Sequence, residues 1–433
     1  MSSPKMLALD LLDFIDAGKS PFQVVIELRK RLNEAGFEQL DQSKNWKLSP
    51  GGEYYLTINE SALIAFRIGT ELPQSSGFHL VGAHTDAPTF RIKPAPDMAV
   101  EQKYLKLNTE VYGGPIINTW LDRPLTIAGR VALSGRDIFT PDFHPVNIDK
   151  PLLVIPNLAI HMNREVNKGI ELNRQNQIQP LLQLINSEME TSGFLLKMLA
   201  EELSISPADI IDFDLVLAEY GKGCLVGPNE EFVSTGRLDD LGSVHAGLEG
   251  LLRAETATAT SVLVCFDNEE VGSSTRQGAD SPVLSHTLER IVLAQGGSRE
   301  DFLRSLMQSF IISADAAHAL HPNWVEKADP TNQPVFGGGP VIKIAASRSY
   351  TSDAHSSTVF DLLCQQAKVP VQRFVNRSDA RSGSTIGPLS STQLPIPSVD
   401  VGTAILAMHS IREMCSVDDH WYLSQVLTEF FQS

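Results

Sequence analysis

The 433-residue sequence has few cysteines, a deficit of positive charge and no long apolar run. Its four cysteines, Cys224, Cys265, Cys364 and Cys415, are far apart, which excludes a CxxC redox pair and a cysteine-rich zinc site. Scattered thiols in a chain this long fit a reducing compartment. Nowhere do ~18 apolar residues run together, so no membrane-spanning helix is expected. The N-terminal segment lacks a basic leader. Asp10, Asp13 and Asp16 interrupt it at helical spacing, so it reads as an amphipathic helix and not a signal peptide, and a cytoplasmic location is expected. Lys plus Arg number 35 against 52 Asp plus Glu, a net charge of −17, which argues against nucleic-acid or anionic-membrane partners. The four tryptophans form no stacking stripe. There is no HExxH, no GxSxG elbow and no P-loop. Gly221-Lys222-Gly223 does not continue into GxGxxG and reads as a turn.

What is present is globular: 42% hydrophobic and 20% charged residues rule out a disordered or fibrous chain. Val24, Val25, Leu28 and Leu32 recur at helical spacing, opened by Ser20-Pro21 and closed by Gly36. Strand-like runs follow at 63–68 and 78–82. Residues 97–225 differ, with short strand-like runs (125–133, 152–155, 213–218), many turn residues and polar stretches. This reads as a β-rich insert. From about residue 236, strands and helices alternate again: helix 243–254, then short β-type runs at 261–266, 310–313, 341–344, 371–375 and 398–401. That alternation predicts an α/β fold with a mixed, mainly parallel sheet flanked by helices. The expected domains are 1–96 plus 226–433 and an insert at 97–225.

Polar clusters sit directly after the predicted strands: His84-Thr85-Asp86, Asp267-Asn268-Glu269-Glu270, Asp315 and His409. Ligands bind outside the carboxyl ends of strands in open α/β sheets, so these groups can converge. With Asp239-Asp240 they form a pool of imidazole and carboxylate that suits divalent metal. In Glu269-Glu270 one carboxylate can ligate while the other stays free as a general base. A single such residue is most often a cap or turn residue; the coincidence of clusters carries the signal. His245, in an apolar helical pattern, reads as packed, and His79, His144, His286 and His420 as structural or surface. Cys265 reads as a buried small hydrophobe.

Several motifs, in order, resemble the aspartyl aminopeptidase family of co-catalytic zinc exopeptidases over nearly the whole chain. They are Gly82-Ala83-His84-Thr85-Asp86-Ala87-Pro88, Arg237-Leu238-Asp239-Asp240, Asp267-Asn268-Glu269-Glu270-Val271-Gly272-Ser273, Ser313-Ala314-Asp315 with His318 and His321-Pro322-Asn323, Gly339-Pro340-Val341-Ile342-Lys343, Gly383-Ser384-Thr385-Ile386-Gly387-Pro388, and Ala407-Met408-His409-Ser410-Ile411-Arg412-Glu413. The resemblance implies two zinc ions per subunit, with Mn or Co also compatible. His84, Asp239 and Asp315 would hold one, and Asp239, Glu270 and His409 the other. Glu269 would be the general base and Asp86 would orient His84. His321 and Tyr350 would steady the oxyanion. Lys343 would contact the substrate, and Arg348 and Arg381 are further cations for an acidic first residue. The family's insert mediates dimerisation within a dodecamer, and His161 matches a histidine that reaches a neighbouring subunit's site. Flanking departures at Asp240, Gly242 and Arg381-Ser382 bear on side-chain preference.

The implied activity is removal of N-terminal Asp or Glu from peptides. The alternatives are a related dimetal amidohydrolase or aminopeptidase with a neutral preference, and a non-catalytic shell protein that keeps the fold. The last predicts loss of a ligand, and all the expected ligands are present.

Overall fold

The amphipathic N-terminus folds as a helix over Pro4–Ala17, with proline in its first turn and the Ser3 side chain accepting from the Met6 N–H. Its apolar face, including Leu7, Leu11, Phe14 and Ile15, is buried. A second helix, Pro21–Glu34, follows Ser20, and Gly36 takes the left-handed conformation just past its end. The computed structural model describes residues 3–186, 192–380 and 382–433.

The chain forms two compact units. One comprises Met1–Asp86, Gly223–Met408 and Glu413–Ser433, and the other comprises Ala87–Lys222 with His409–Arg412. The second unit starts ahead of 97 because one continuous strand, Thr89–Val100, spans that position.

The first unit is built on a nine-stranded sheet. Its order is Glu38–Gln39, Glu53–Ile58, Ala62–Arg67, Thr260–Phe266, Phe78–His84, Phe310–Ala314, Ser398–Gly402, Val341–Ile344 and Gln372–Val375. The four strands Thr260–Phe266, Phe78–His84, Phe310–Ala314 and Ser398–Gly402 pair in parallel, while Ala62–Arg67 and Val341–Ile344 pair with them antiparallel. The mixed, mainly parallel α/β class is as the sequence predicts. The central strands are near-continuous apolar runs because both faces are covered. On one face pack the helices Leu238–Arg253 and Val417–Gln432, with Leu241, Val244, Leu423 and Leu427 in the same core as Val81 and Leu263. The other face packs Leu284, Leu288 and Ile291 of the helix Val283–Ala294 against Leu80 and Val264.

The second unit carries a six-stranded antiparallel sheet, in the order Thr140–Asn147, Leu125–Asp137, Ile210–Glu219, Thr89–Val100, Tyr104–Tyr112 and Leu181–Leu184. It is β-rich, with one longer helix at Phe194–Leu203. The expected strand at 152–155 is reduced to single bridging pairs of Leu153, Val154 and Ile155 with Leu125, Leu181 and Leu121. Asp149, Lys150 and Pro151 precede that run, and proline has no N–H to extend a ladder.

His245, Asp10 and His420 tie three helices together in the first unit. His245 is fully buried, with Nε2 at 2.8 Å from Asp10 Oδ2 and Nδ1 at 2.9 Å from His420 Nε2. Arg31 Nη1 reaches the same Asp10 oxygen at 2.7 Å. Burial raises Asp10, but the hydrogen bonds from His245 and Arg31 outweigh it and hold its carboxyl well below the usual range. A carboxylate with a depressed folded pKa stabilises fully above its unfolded pKa, ~3.9, and loses that contribution as pH falls through the folded value. Asp10→Asn should therefore lower the melting temperature at pH 7, and its gap from wild type should begin to narrow below about pH 4 and keep narrowing toward pH 2. Thermal unfolding from pH 7 to pH 2 checks this, and a gap independent of pH would contradict it.

Candidate metal centre

The four parallel strands deliver their carboxyl ends to one edge. His84 ends its strand opposite Phe266, and Ser313 lies beside Gly82 and Asp400, two residues before Asp315. His84, Asp239, Asp240 and Asp315 are all buried, and each offers a ligand atom within 4.8 Å of the others. His84, Glu269 and Glu270 form a second group on the same criterion.

His84 is 1% exposed, and its Nδ1 lies 3.0 Å from the Asp86 carbonyl. A ring that donates from Nδ1 to that carbonyl presents Nε2 as a lone pair. Nε2 faces Asp239 Oδ1 at 3.5 Å and Asp240 Oδ2 at 4.0 Å. Asp240 Oδ2 also accepts the His84 backbone N–H at 3.1 Å. Asp239 and Asp240 depart from helical geometry within the segment Leu238–Arg253, and the peptide between them is cis. The Asp239 N–H donates to the buried Glu413 carboxylate at 3.0 Å. Asp240 and Glu413 are parts of recognised motifs, but the sequence assigns them no separate roles.

Asp86 places its carboxylate beside the His84 ring, Oδ1 at 3.4 Å from Nδ1, and that carboxylate has further partners. Its carbonyl holds His84, while its carboxylate accepts the Glu269 and Glu270 N–H groups, each at 3.1 Å. The side chain therefore fixes the turn that carries both glutamates. Burial pushes Glu269 up to about 7; His84 opposes this, and Asp315, Asp86 and Asp239 add to it. Burial also raises Asp240 and Asp315, with neighbouring carboxylates adding to both.

Lys343, 2% exposed, donates to Ala316 O at 3.1 Å and lies 3.2 Å from Asp315 Oδ1. Burial opposes its charge, but Asp315, then Tyr350 and Asp400, hold its pKa above the ordinary value. The ammonium also sits 5.3 Å from the Tyr350 ring centroid. His321 Nδ1 accepts the Asn323 N–H at 3.1 Å, so the neutral ring carries its proton on Nε2. His318 is exposed and edges onto Phe374. His409 and His161 belong to the second unit. There His409 Nδ1 lies 3.0 Å from Gly114 O, and His161 is exposed. Arg381 lies outside the described residues. His245 is packed, as read, and Cys265 is fully buried.

One imidazole among buried carboxylates, without sulfur, is a donor set for zinc and equally for manganese or cobalt. Lys343 supplies one positive charge to this cluster, and a dication fits the remaining negative charge. His84→Ala and Asp315→Asn should each lower bound zinc in the purified protein, measured by plasma mass spectrometry. Asp86→Ala should weaken zinc affinity about 10-fold to 100-fold through the loosened turn and ring. Retention of full zinc content by both ligand variants would place the metal elsewhere.

Residues 14–431 match the family model described as "Aminopeptidase I zinc metalloprotease (M18)". The probable M18 family aminopeptidase 2 of Clostridium novyi (strain NT) is 58% identical over 431 residues, covering 100% of both chains. Among solved structures, the cryo-EM structure of the Ape4 and Nbr1 complex contains a chain with a TM-score of 0.95 at 38% identity, over 99% of this chain and 86% of that one. The S. cerevisiae mApe1 dodecamer matches with a TM-score of 0.84 at 26% identity, over 98% of this chain and 96% of that one. Sequence, fold and the buried ligand cluster thus agree, and the chain belongs to the M18 family of zinc aminopeptidases.

Proposed function

We propose that this aminopeptidase removes N-terminal Asp or Glu from peptides, with two zinc ions per subunit and Glu269 as general base. The observation that carries the reading is the turn at Glu269-Glu270, pinned by Asp86 beside the buried cluster of His84, Asp239 and Asp315. The resemblance gives His409 as the fifth ligand, with Asp239 shared between the ions.

Bound zinc supplies Lewis acidity, which polarises a carbonyl and lowers the pKa of water toward ~7. Glu269 takes the proton as the water oxygen attacks the scissile carbonyl carbon. When the C–N bond breaks, it passes that proton to the leaving amine. His321, protonated on Nε2, and the Tyr350 hydroxyl donate to the oxyanion. Lys343 is the cation for an acidic side chain: an ammonium has three N–H groups, and Ala316 and Asp315 engage two. Arg381 is a further candidate in this role.

A neutral preference is favoured by one observation, that Lys343 is already paired with Asp315. Hydrolysis of Asp-, Glu-, Leu- and Ala-p-nitroanilide, before and after chelation and with Zn, Mn or Co added back, separates the readings. Chelator-sensitive activity confined to Asp and Glu is expected, and metal-dependent activity on Leu or Ala would overturn the acidic preference. Glu269→Gln should lower kcat by roughly 100-fold to 10,000-fold at unchanged zinc content.

The assembly belongs to the same proposal. The S. cerevisiae mApe1 relative is a dodecamer. The present chain would assemble likewise from dimers formed through its β-rich unit, with His161 contributing to a neighbouring subunit. Among the described residues no helix is long and apolar enough to cross a membrane, and a cytoplasmic location fits the free cysteines. Light scattering should give twelve times the 47.4 kDa protomer, and a monomer active at full rate would exclude a part for His161.

A further inference from the structure

Asp400 is fully buried in the strand Ser398–Gly402 and lies outside the proposed ligand set. Its Oδ2 accepts the Thr351 N–H at 2.6 Å and the Thr351 hydroxyl at 2.9 Å. Its Oδ1 accepts the Thr385 hydroxyl at 2.6 Å. The Asp400 N–H donates to Ser352 Oγ at 2.9 Å. The helix Ile386–Gln393 can approach only because residue 387 is glycine: a Cβ there would lie 2.6 Å from both carboxylate oxygens.

These bonds bear on Tyr350 from two directions. Thr351 and Ser352 fix the backbone directly after Tyr350. Thr385 fixes the segment that begins at Ser382, whose Oγ accepts from Asn376 Nδ2 at 2.7 Å. The Asn376 side chain also hydrogen-bonds the Tyr350 hydroxyl. From residue 345 to 350, the other hydrogen bonds of this loop are local, from Arg348 N–H to Ala345 O and between the Ser347 and Ser349 hydroxyls. Asp400, through Thr351, is thus an anchor of this loop from outside it, alongside Asn376.

We propose that Asp400 is a positioning residue that acts through Thr351 and Thr385 to hold the Tyr350 hydroxyl as a hydrogen-bond donor to the oxyanion. This rests on the aminopeptidase reading, in which Tyr350 contacts the reacting carbonyl oxygen. An amide at 400 keeps the size but replaces one acceptor oxygen with an NH2 donor and removes the charge, so the Thr385 hydroxyl would have to reverse from donor to acceptor.

The test is a double-mutant cycle combined with hydrogen exchange by mass spectrometry. Asp400→Asn should lower kcat about 10-fold to 100-fold with KM within about twofold, because misplacement of a group that acts at the transition state costs rate more than binding. In a Tyr350→Phe background the same change should cost less than about threefold, since the donor is already gone. Thr385→Val, which removes one hydroxyl and no buried charge, should show a weaker version of the same pattern if Asp400→Asn folds poorly. Amide exchange should quicken in peptides covering 348–353 and 383–388, with zinc content unchanged. Equal losses of kcat in both backgrounds, or unchanged exchange in those peptides, would overturn the proposal. A wild-type protein that hydrolyses none of the four nitroanilides would instead sink the aminopeptidase reading and the catalytic part of this inference with it. Exchange alone would then decide whether Asp400 anchors the two segments.

Discussion

Carboxylates that have lost their water must be compensated, and that constraint organises the carboxyl edge of the central sheet. Desolvating one ion costs several kcal/mol, and like charges nearby add to it. The protein meets part of the cost with backbone N–H groups: Asp86 receives two, and Asp240 and Glu413 receive one each. Lys343 meets another part at Asp315. What remains around His84, Asp239, Asp240 and Asp315 is negative charge, which a zinc ion would meet.

The same bonds explain how groups from remote segments keep one geometry. Asp240 joins a helix start to His84 across 156 positions, and Asp86 reaches Glu269 across 183. Glu413 holds Asp239 across 174. Each crosslink uses a buried carboxylate facing backbone, which is stiffer than a pair of long exposed side chains because few rotamers are available to it. Loops that would otherwise be the mobile part of an α/β edge are thereby fixed to the strands.

Much of this was legible in the sequence. The apolar runs at 78–82, 261–266, 310–313 and 398–401 are strands, and the polar residues after the first three gather, as strand polarity requires. His84, Asp239, Glu270 and Asp315 stand out because histidine and acids after an apolar run are unusual as a set. Asp400 does not stand out. It lies inside a strand, between Val399 and Val401, where a local reading assigns only alternation. Its partners, Thr351 and Thr385, are 49 and 15 residues away, and no spacing rule connects them. The carboxylate of Asp86 was half opaque: proximity to His84 suggested the ring, which lies 3.4 Å away, but the N–H groups it also accepts belong to a turn 183 residues later. Short runs are the other weak point. Residues 152–155 have strand composition, yet whether such a run joins a ladder depends on neighbours, here Leu125 and Leu181, that only the tertiary fold supplies.

Under the proposed reading, Asp315 links metal loading to substrate choice. Lys343 is held by two acceptors, and the stronger electrostatically is the Asp315 carboxylate. A carboxylate shared with a dication attracts an ammonium less than one that the ammonium has alone. With a dication held at the centre, Asp315 would grip Lys343 less tightly, while Ala316 would still accept one of its hydrogens. An acidic side chain arriving at the loaded site meets a cation with spare capacity. Arriving at the empty site, it meets a neutralised pair and a surplus of negative charge. The preference for an acidic first residue, on this argument, is a property of the metal-loaded protein and not of the pocket alone. On that reading, contact with Asp315 would serve the acidic preference better than a cation standing alone in an apolar cleft.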